Sequence, residues 1–328
     1  MFALPVAAAP QLYGLTRNRH NCTGGAPSGC TQLVRIEPAT GALTSVGPPH
    51  LPLTAVGDLA AIADGVLYTL ADGLHGSGTV LFGIDVASGE QTCEAHVLGA
   101  EVGEVGGMQS LHVDAQRRRL VLSGPILNNA TQHYHHLVVS LSLEAKDVCS
   151  GQPTTLATFA YADYEPMAHG AEYDAAGQRL FVTISSDAHA YALAVVDVSG
   201  GGADIQLLPY SGTNTLWGPQ WSATTKLLSG VGVRPSGPGI DWRTLDPASG
   251  AWTSQPLANT TFDTLWGNLG SLRAYDAASA SLYVLVAQGQ SEQLSLAAVD
   301  ATGTVQSHAR LHGDVGSSSE VLMSMAIG

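Results

Sequence analysis

One phrase recurs along the chain: an apolar residue, an acid, a few turn-forming residues and a glycine. It reads Ile36-Glu37-Pro38-Ala39-Thr40-Gly41, Ile84-Asp85-Val86-Ala87-Ser88-Gly89, Val196-Asp197-Val198-Ser199-Gly200, Leu245-Asp246-Pro247-Ala248-Ser249-Gly250 and Val299-Asp300-Ala301-Thr302-Gly303. The acids stand 48, 112, 49 and 54 residues apart, and the middle of the gap of 112 holds a degraded copy, Leu141-Ser142-Leu143-Glu144. Such a phrase is a strand end running into a tight turn, in which the acid accepts backbone N–H bonds and the glycine supplies a positive φ.

A second phrase alternates with the first. Val113-Asp114-Ala115 precedes Leu120-Val121-Leu122, Tyr173-Asp174-Ala175-Ala176 precedes Leu180-Phe181-Val182, and Tyr275-Asp276-Ala277-Ala278 precedes Leu282-Tyr283-Val284. Ala63-Asp64-Gly65 and Trp221-Ser222-Ala223 are weaker copies. Each repeat therefore carries two hairpins, and the strands between them alternate apolar and polar residues, as in Leu33-Val34-Arg35-Ile36. Four-stranded units at a period of roughly 50 residues predict an all-β fold, a β-propeller, as a single domain over residues 1–328.

Bookkeeping of the phrases sets the blade number. The second phrase occurs five times and the first six, so one innermost strand is missing near the start, where the lone strand Gln11-Leu12-Tyr13-Gly14-Leu15 stands. The segment Val321-Leu322-Met323-Ser324-Met325-Ala326-Ile327 can supply it. The expectation is six blades of four strands, closed by the C-terminal strand completing blade 1, which leaves no open edge. Seven blades are the alternative and need a repeat of about 47 residues with nothing left over.

Composition narrows the function. With 12% charged and 45% hydrophobic residues the chain can bury a core and is not disordered. Thirteen Lys and Arg against 27 Asp and Glu, with Arg117-Arg118-Arg119 as the basic cluster, exclude a nucleic-acid-binding face. No apolar run reaches the roughly 18 residues of a membrane-spanning helix. Cys22 and Cys30 lie eight residues apart in a Gly/Pro/Ser-rich stretch and can close a small disulfide loop, while Cys93 and Cys149 are either a second pair or two buried thiols. Asn21, Asn129 and Asn259 each begin an Asn-x-Thr glycosylation acceptor. Cysteines, acceptors and scarce lysine together point to an extracellular or secretory-pathway protein.

Turns within hairpins are short, whereas the connections between hairpins and between blades are long and leave a propeller on one face. Binding residues concentrate on long loops held by a rigid scaffold. The candidates there are Tyr161, Asp163, Tyr164, Glu165, His169, Phe262 and Asp263, a mixture of aromatics and carboxylates suited to a glycan or a cation-bearing peptide. Asp58, Glu172, Asn268 and Glu320, with Gln109 and Gln220, fall near the starts of innermost strands and form either a ring for a hard cation such as calcium or a hydrated channel lining. His133 and His135 share a face of an extended segment and are candidate zinc or copper ligands. Arg117 to Arg119 reads as a solvated turn on the opposite face. The chain has no Gly-x-Ser-x-Gly elbow, His-Glu-x-x-His pair, phosphate-binding loop or dinucleotide fingerprint.

The phrases Leu245-Asp246-Pro247-Ala248-Ser249-Gly250 and Tyr173-Asp174-Ala175-Ala176-Gly177-Gln178-Arg179-Leu180 resemble those of the propeller superfamily that includes YVTN, TolB-like and quinoprotein-dehydrogenase-like repeats. That resemblance covers nearly the whole chain and implies the fold, not an activity. Gly218-Pro219-Gln220-Trp221 with the later Asp246-Pro247-Ala248-Ser249-Gly250 also resembles the gluconolactonase (regucalcin-like) family, whose metal-ligand glutamate precedes this Gly-Pro; here Trp217 stands there. The expected function is a non-catalytic extracellular propeller that binds a protein or glycan through its long-loop face, in a surface assembly or alone. The rival is a metal-dependent hydrolase or lactonase with a cation in the channel.

Overall fold

The computed structural model describes residues 11–18, 30–50, 56–72, 79–98, 108, 110–128, 133–144, 148–149, 152–160, 170–185, 191–199, 204–210, 216–234, 238–260, 262, 264–265, 273–287, 294–313 and 322–328. Among them there is no helix. Six antiparallel sheets succeed one another. From axis to rim, blade 2 runs Val56–Ala63, Val66–Asp72, Thr79–Asp85 and Gln91–Leu98, and blade 3 runs Ser110–Asp114, Arg119–Asn128, His133–Ser142 and Thr154–Ala160. Blade 4 runs Ala171–Asp174, Arg179–Ser185, Tyr191–Asp197 and Ile205–Tyr210, and blade 5 runs Trp217–Ser222, Leu227–Val233, Ile240–Leu245 and Trp252–Pro256. Blade 6 runs Arg273–Asp276, Ser281–Ala287, Ser295–Val299 and Val305–Arg310, with the short strand Thr264–Leu265 also pairing Ser281–Ala287.

Blade 1 closes the ring as the phrase count requires. Leu322–Ile327 lies innermost and pairs antiparallel with Leu12–Asn18, Leu12 opposite Ile327 and Gly14 opposite Met325, followed outward by Cys30–Ile36 and Ala42–His50. A second clasp was not legible in the repeats: His312–Gly313 runs parallel to the outermost strand of the same blade, with the His312 N–H donating to the Gly41 carbonyl at 3.1 Å. The strands His312–Gly313 and Leu322–Ile327 thus hold blade 1 at its two edges.

Blades pack face to face, so middle strands bury both of their faces. Leu180, Phe181, Val182, Thr183 and Ile184 are all buried, whereas on the rim strand of blade 3 only Ala157 and Phe159 are buried and Thr155 and Thr158 are exposed. The core therefore lies between the sheets. Val121 and Val138 of blade 3 pack with Leu180, Val182 and Ala194 of blade 4, and Leu15 and Leu33 of blade 1 pack with Leu67 and Ile84 of blade 2. The same alternation sends His136 into the core, stacked on Phe159 at 4.9 Å, with burial pushing its imidazole down to about 3. His135 remains half-buried on the other face.

Both recurring phrases are turns of the expected chemistry. Asp85 Oδ1 accepts the N–H groups of Ala87 at 3.1 Å and Ser88 at 2.7 Å, and the Gly89 N–H donates to the Asp85 carbonyl at 2.8 Å. In the second phrase a residue other than glycine takes the left-handed conformation, Asp64, Arg118, Gln178, Lys226 and Ala280 having φ values of 51°, 47°, 49°, 61° and 51°, joined by Gly65 in the first of these turns. Gly89 has φ +73°, and a Cβ on it would stand 2.2 Å from the Val46 carbonyl oxygen of blade 1. Gly65 has φ +77° with nothing within 4 Å of that position. Gly65→Ala is therefore expected to cost only the left-handed penalty, about 1–2 kcal/mol. Gly89→Ala should cost clearly more, because two backbones must also separate. Chemical denaturation of the two variants measures the difference, and equal losses would remove the inter-blade contact as its cause.

Cys93 and Cys149 are joined, with Cα atoms 5.7 Å apart and a sequence separation of 56. The bond ties the rim strand of blade 2 to the connection between the third and fourth strands of blade 3, where the first phrase is degraded. Closing a loop of this size contributes about 4 kcal/mol in the chain-entropy account. Cys22 lies outside the described residues, and of Cys30 only its backbone place, opposite Asn18, is described.

Candidate functional site

The six sheets form a β-propeller, and a propeller of six blades turns the first strand of each blade toward a common channel. That channel encloses a cavity of about 300 Å³. Its wall is divided. Blades 1 and 2 line it with apolar residues alone, among them Met325, Ile327 and Ile62, and every polar group, Ser110, His112, Glu172, Gln220, Arg273 and Tyr275, comes from the other four blades, which also add Leu111 and Val113.

Arg273 opens the innermost strand of blade 6. Its guanidinium donates to the Pro219 carbonyl of blade 5 at 2.6 Å and, at 3.4 Å, to the Ala171 carbonyl of blade 4. Blade 5 is shaped around it: Gly218 has φ +61°, and a Cβ there would stand 2.5 Å from Arg273 Cδ. Next to it the Gln220 amide donates to the same Pro219 carbonyl at 3.0 Å.

Electrostatics follow from this placement. Burial pushes the Glu172 carboxyl up to about 7, although the charge of Arg273 and the Trp221 N–H pull the other way. Burial lowers Arg273 to about 10, while Glu172 draws it back up. Burial and then Arg273 hold the His112 imidazole down at about 3, against its hydrogen bond to the Ala171 backbone. His112 is thus neutral at pH 7, and the site carries one fixed positive charge beside a carboxyl that titrates near neutrality.

Of the residues proposed for a cation ring, Glu172 lines the cavity, as does Gln220. Asp58 lies in the innermost strand of blade 2, its side chain outside the described part, and Gln109, Asn268 and Glu320 lie outside the described residues. No three His, Cys, Asp or Glu side chains converge among the described residues. The described wall offers a divalent ion one carboxyl, set near a guanidinium, and does not fit such a group. Tyr161, Asp163, Tyr164, Glu165, His169 and Asp263 also lie outside the described residues. Phe262 is half-buried and packs on the core of blade 6, edge-on to His308 at 5.2 Å. Asn259 is exposed, with φ 59°; Asn21 and Asn129 are outside the described part.

The arginine cluster on the short-turn face is not a solvated turn. Asp114, with no side-chain exposure, takes Arg119 at 3.1 Å and Arg117 at 3.3 Å, and accepts the Tyr173 hydroxyl of blade 4 at 2.9 Å. Arg117 also donates to the Ala175 carbonyl of blade 4 at 2.9 Å, and Arg118 reaches Asp64 of blade 2 at 2.8 Å. Three consecutive arginines clamp blade 3 to both neighbours. Sequence reasoning took them for solvated because a turn of like charges shows no partner until the adjacent blades are in place.

Arg273 and His112 were also missed. A signal existed for Arg273: three residues before the acid of the second phrase, the other copies carry Ala61, Leu111 and Ala171. An arginine at that register departs from the repeat.

Among solved structures, TolB from Acinetobacter baumannii superposes with a TM-score of 0.57 at 12% identity over 97% of this chain, which spans 66% of TolB's length. An exo-β-1,3-galactanase from Phanerochaete chrysosporium gives 0.52 at 9% identity over 87% of this chain and 70% of the enzyme. A candidate 6-phosphogluconolactonase from Bacteroides uniformis gives 0.50 at 9% identity over 98% of this chain and all of that one. At these identities the likeness shows the fold alone, and the functions in the three names diverge. No family model and no curated protein matches the chain in sequence.

Proposed function

We propose that the protein is a non-catalytic binding propeller of an oxidising, non-cytoplasmic compartment, which engages a protein or glycan partner through the face bearing its long connections. The observation that carries this reading is the difference between the two ends of the disc. On the short-turn face the acids cap their own turns and the arginines are spent on neighbouring blades, so little polar chemistry is left for a partner. The opposite end carries the strand ends Ala160 and Ala171, and the stretch between them in sequence holds Tyr161, Asp163, Tyr164, Glu165 and His169. The Cys93–Cys149 bond supports the compartment, and an exposed Asn259 is accessible as a glycan acceptor. Low charge and a rigid disc also suit a place in a surface assembly.

Replacing Tyr161, Asp163 and Glu165 together by alanine is expected to weaken partner capture by about tenfold or more while leaving the melting temperature in place. Partner affinity that survives the triple replacement means that this face is the wrong one.

A second reading has one observation in its favour: Glu172, a carboxyl titrating near neutrality inside a cavity, has the properties of a proton donor or acceptor. In that reading Glu172 moves the proton in hydrolysis of a lactone or ester, and any cation would need Asp58, Asn268 and Glu320, since the described wall alone does not hold one. Calcium and zinc quantified per chain in natively purified protein separate the two, and one tightly held ion per chain would put the hydrolase ahead.

A further inference from the structure

We propose that the central channel is a binding site for a small carboxylate carrying a short apolar tail, with its carboxylate on Arg273 and its tail against Met325, Ile327 and Ile62. This proposal does not rest on the reading given for the long-loop face.

Arg273 differs from five arginines of the fold that are held by aspartates. Arg117, Arg118, Arg119, Arg179 and Arg234 each hold an aspartate at 2.8 to 3.3 Å, whereas among the described residues no carboxylate stands within ion-pairing distance of Arg273. Two main-chain carbonyls orient its guanidinium, and the remaining N–H groups of a planar five-donor fork are suited to a carboxylate. Gly218 leaves the space in which the side chain lies, so the cation is held in position before any ligand arrives. The cavity, about 300 Å³, is at the small end of ligand pockets, and its two-sided wall matches a molecule with one charged end and one apolar end.

The groups facing Arg273 fix the sign of the ligand. Blade 3 contributes Ser110 and a neutral His112, blade 4 Glu172, blade 5 the uncharged Gln220, and blade 6 Tyr275; the described lining of blades 1 and 2 is apolar throughout. Glu172 is the competing anion. Its protonation relieves repulsion of an incoming carboxylate, so affinity is expected to rise as pH falls from about 8 to about 6.

The test uses the full chain with hexanoate and its uncharged counterpart hexanamide, titrated by calorimetry. Hexanoate is expected to bind at least about tenfold more tightly than hexanamide, the worth of a hydrogen-bonded charge. Arg273→Gln should remove that preference, and Glu172→Gln should tighten hexanoate and flatten its pH dependence. The second variant keeps the test decisive if the first does not fold. Equal affinity for the two probes, hexanoate binding unchanged by Arg273→Gln, or weaker binding in Glu172→Gln overturns the proposal. A hexapeptide with a free carboxyl terminus and a C-terminal leucine, tested against its C-terminal amide, distinguishes the source: displacement of hexanoate by the free acid alone assigns the carboxylate to a partner's chain end, and no displacement assigns it to a free acid.

Discussion

Deleting residues 321–328 is expected to abolish the cooperative thermal transition of the protein. The deleted strand, Leu322–Ile327, is the innermost of blade 1 and makes the whole ladder to Leu12–Asn18 on that side. Leu322 and Met325 are 2% exposed and Ala326 5%, and Met325 and Ile327 form part of the channel wall. Removing a buried side chain of this size costs about 2–5 kcal/mol, so two of them with the pairing lost beside them rival the roughly 5–15 kcal/mol that hold a domain folded. The clasp of His312–Gly313 on the rim remains in the truncated chain but does not restore the inner strand. A truncated protein that melts with the cooperativity and midpoint of the full chain would mean that blade 1 does not depend on this strand.

Asp114→Ala is the second large effect. It leaves Arg119, whose side chain is 15% exposed, facing a cavity without its anion, and takes away the acceptor of the Tyr173 hydroxyl. Loss of one partner from a buried ion pair costs about 3–5 kcal/mol, because the desolvated charge stays behind. Exposed pairs such as Arg118 with Asp64, at 48% and 62% exposure, are worth about 0–1 kcal/mol, so Asp64→Ala is the internal control. The pH dependence has a definite sign. Burial raises the Asp114 carboxyl, but the Tyr173 hydroxyl, the Arg117 N–H and Arg119 outweigh it and hold it below its ordinary value. A folded-state value below the unfolded one, about 3.9 for aspartate, means that its stabilisation is complete above that pH and is lost as pH falls through the folded value. The advantage of the native protein over Asp114→Asn, read from urea denaturation, should be full at neutral pH and shrink in acid below about pH 4. An advantage that persists undiminished in acid would show that the charge of Asp114 is not what binds the clamp.

The turns were legible because their chemistry is local. An acid that bonds N–H groups two and three residues ahead, and a glycine four residues ahead that takes the left-handed conformation, need nothing beyond six consecutive residues. Counting such turns gives the strands, and the strands give six blades and a ring that only the C-terminal segment can close. The rim clasp escaped because two residues, His312 and Gly313, carry no periodicity. Cys93 and Cys149 stayed open between a bond and two thiols because their distance depends on how blade 2 stands against blade 3.

What the sequence by itself determined is therefore the repeat, its strand count and the order of closure, all consequences of hydrogen bonds between near neighbours. The tertiary structure alone decided the chemistry of the channel and of the clamp. Arg273, Glu172, His112 and Gln220 come from four different blades, and Asp114 meets Tyr173 only across a blade boundary; each residue is an isolated polar group in its own strand. Their charges interact only when six innermost strands converge and water is excluded from between them.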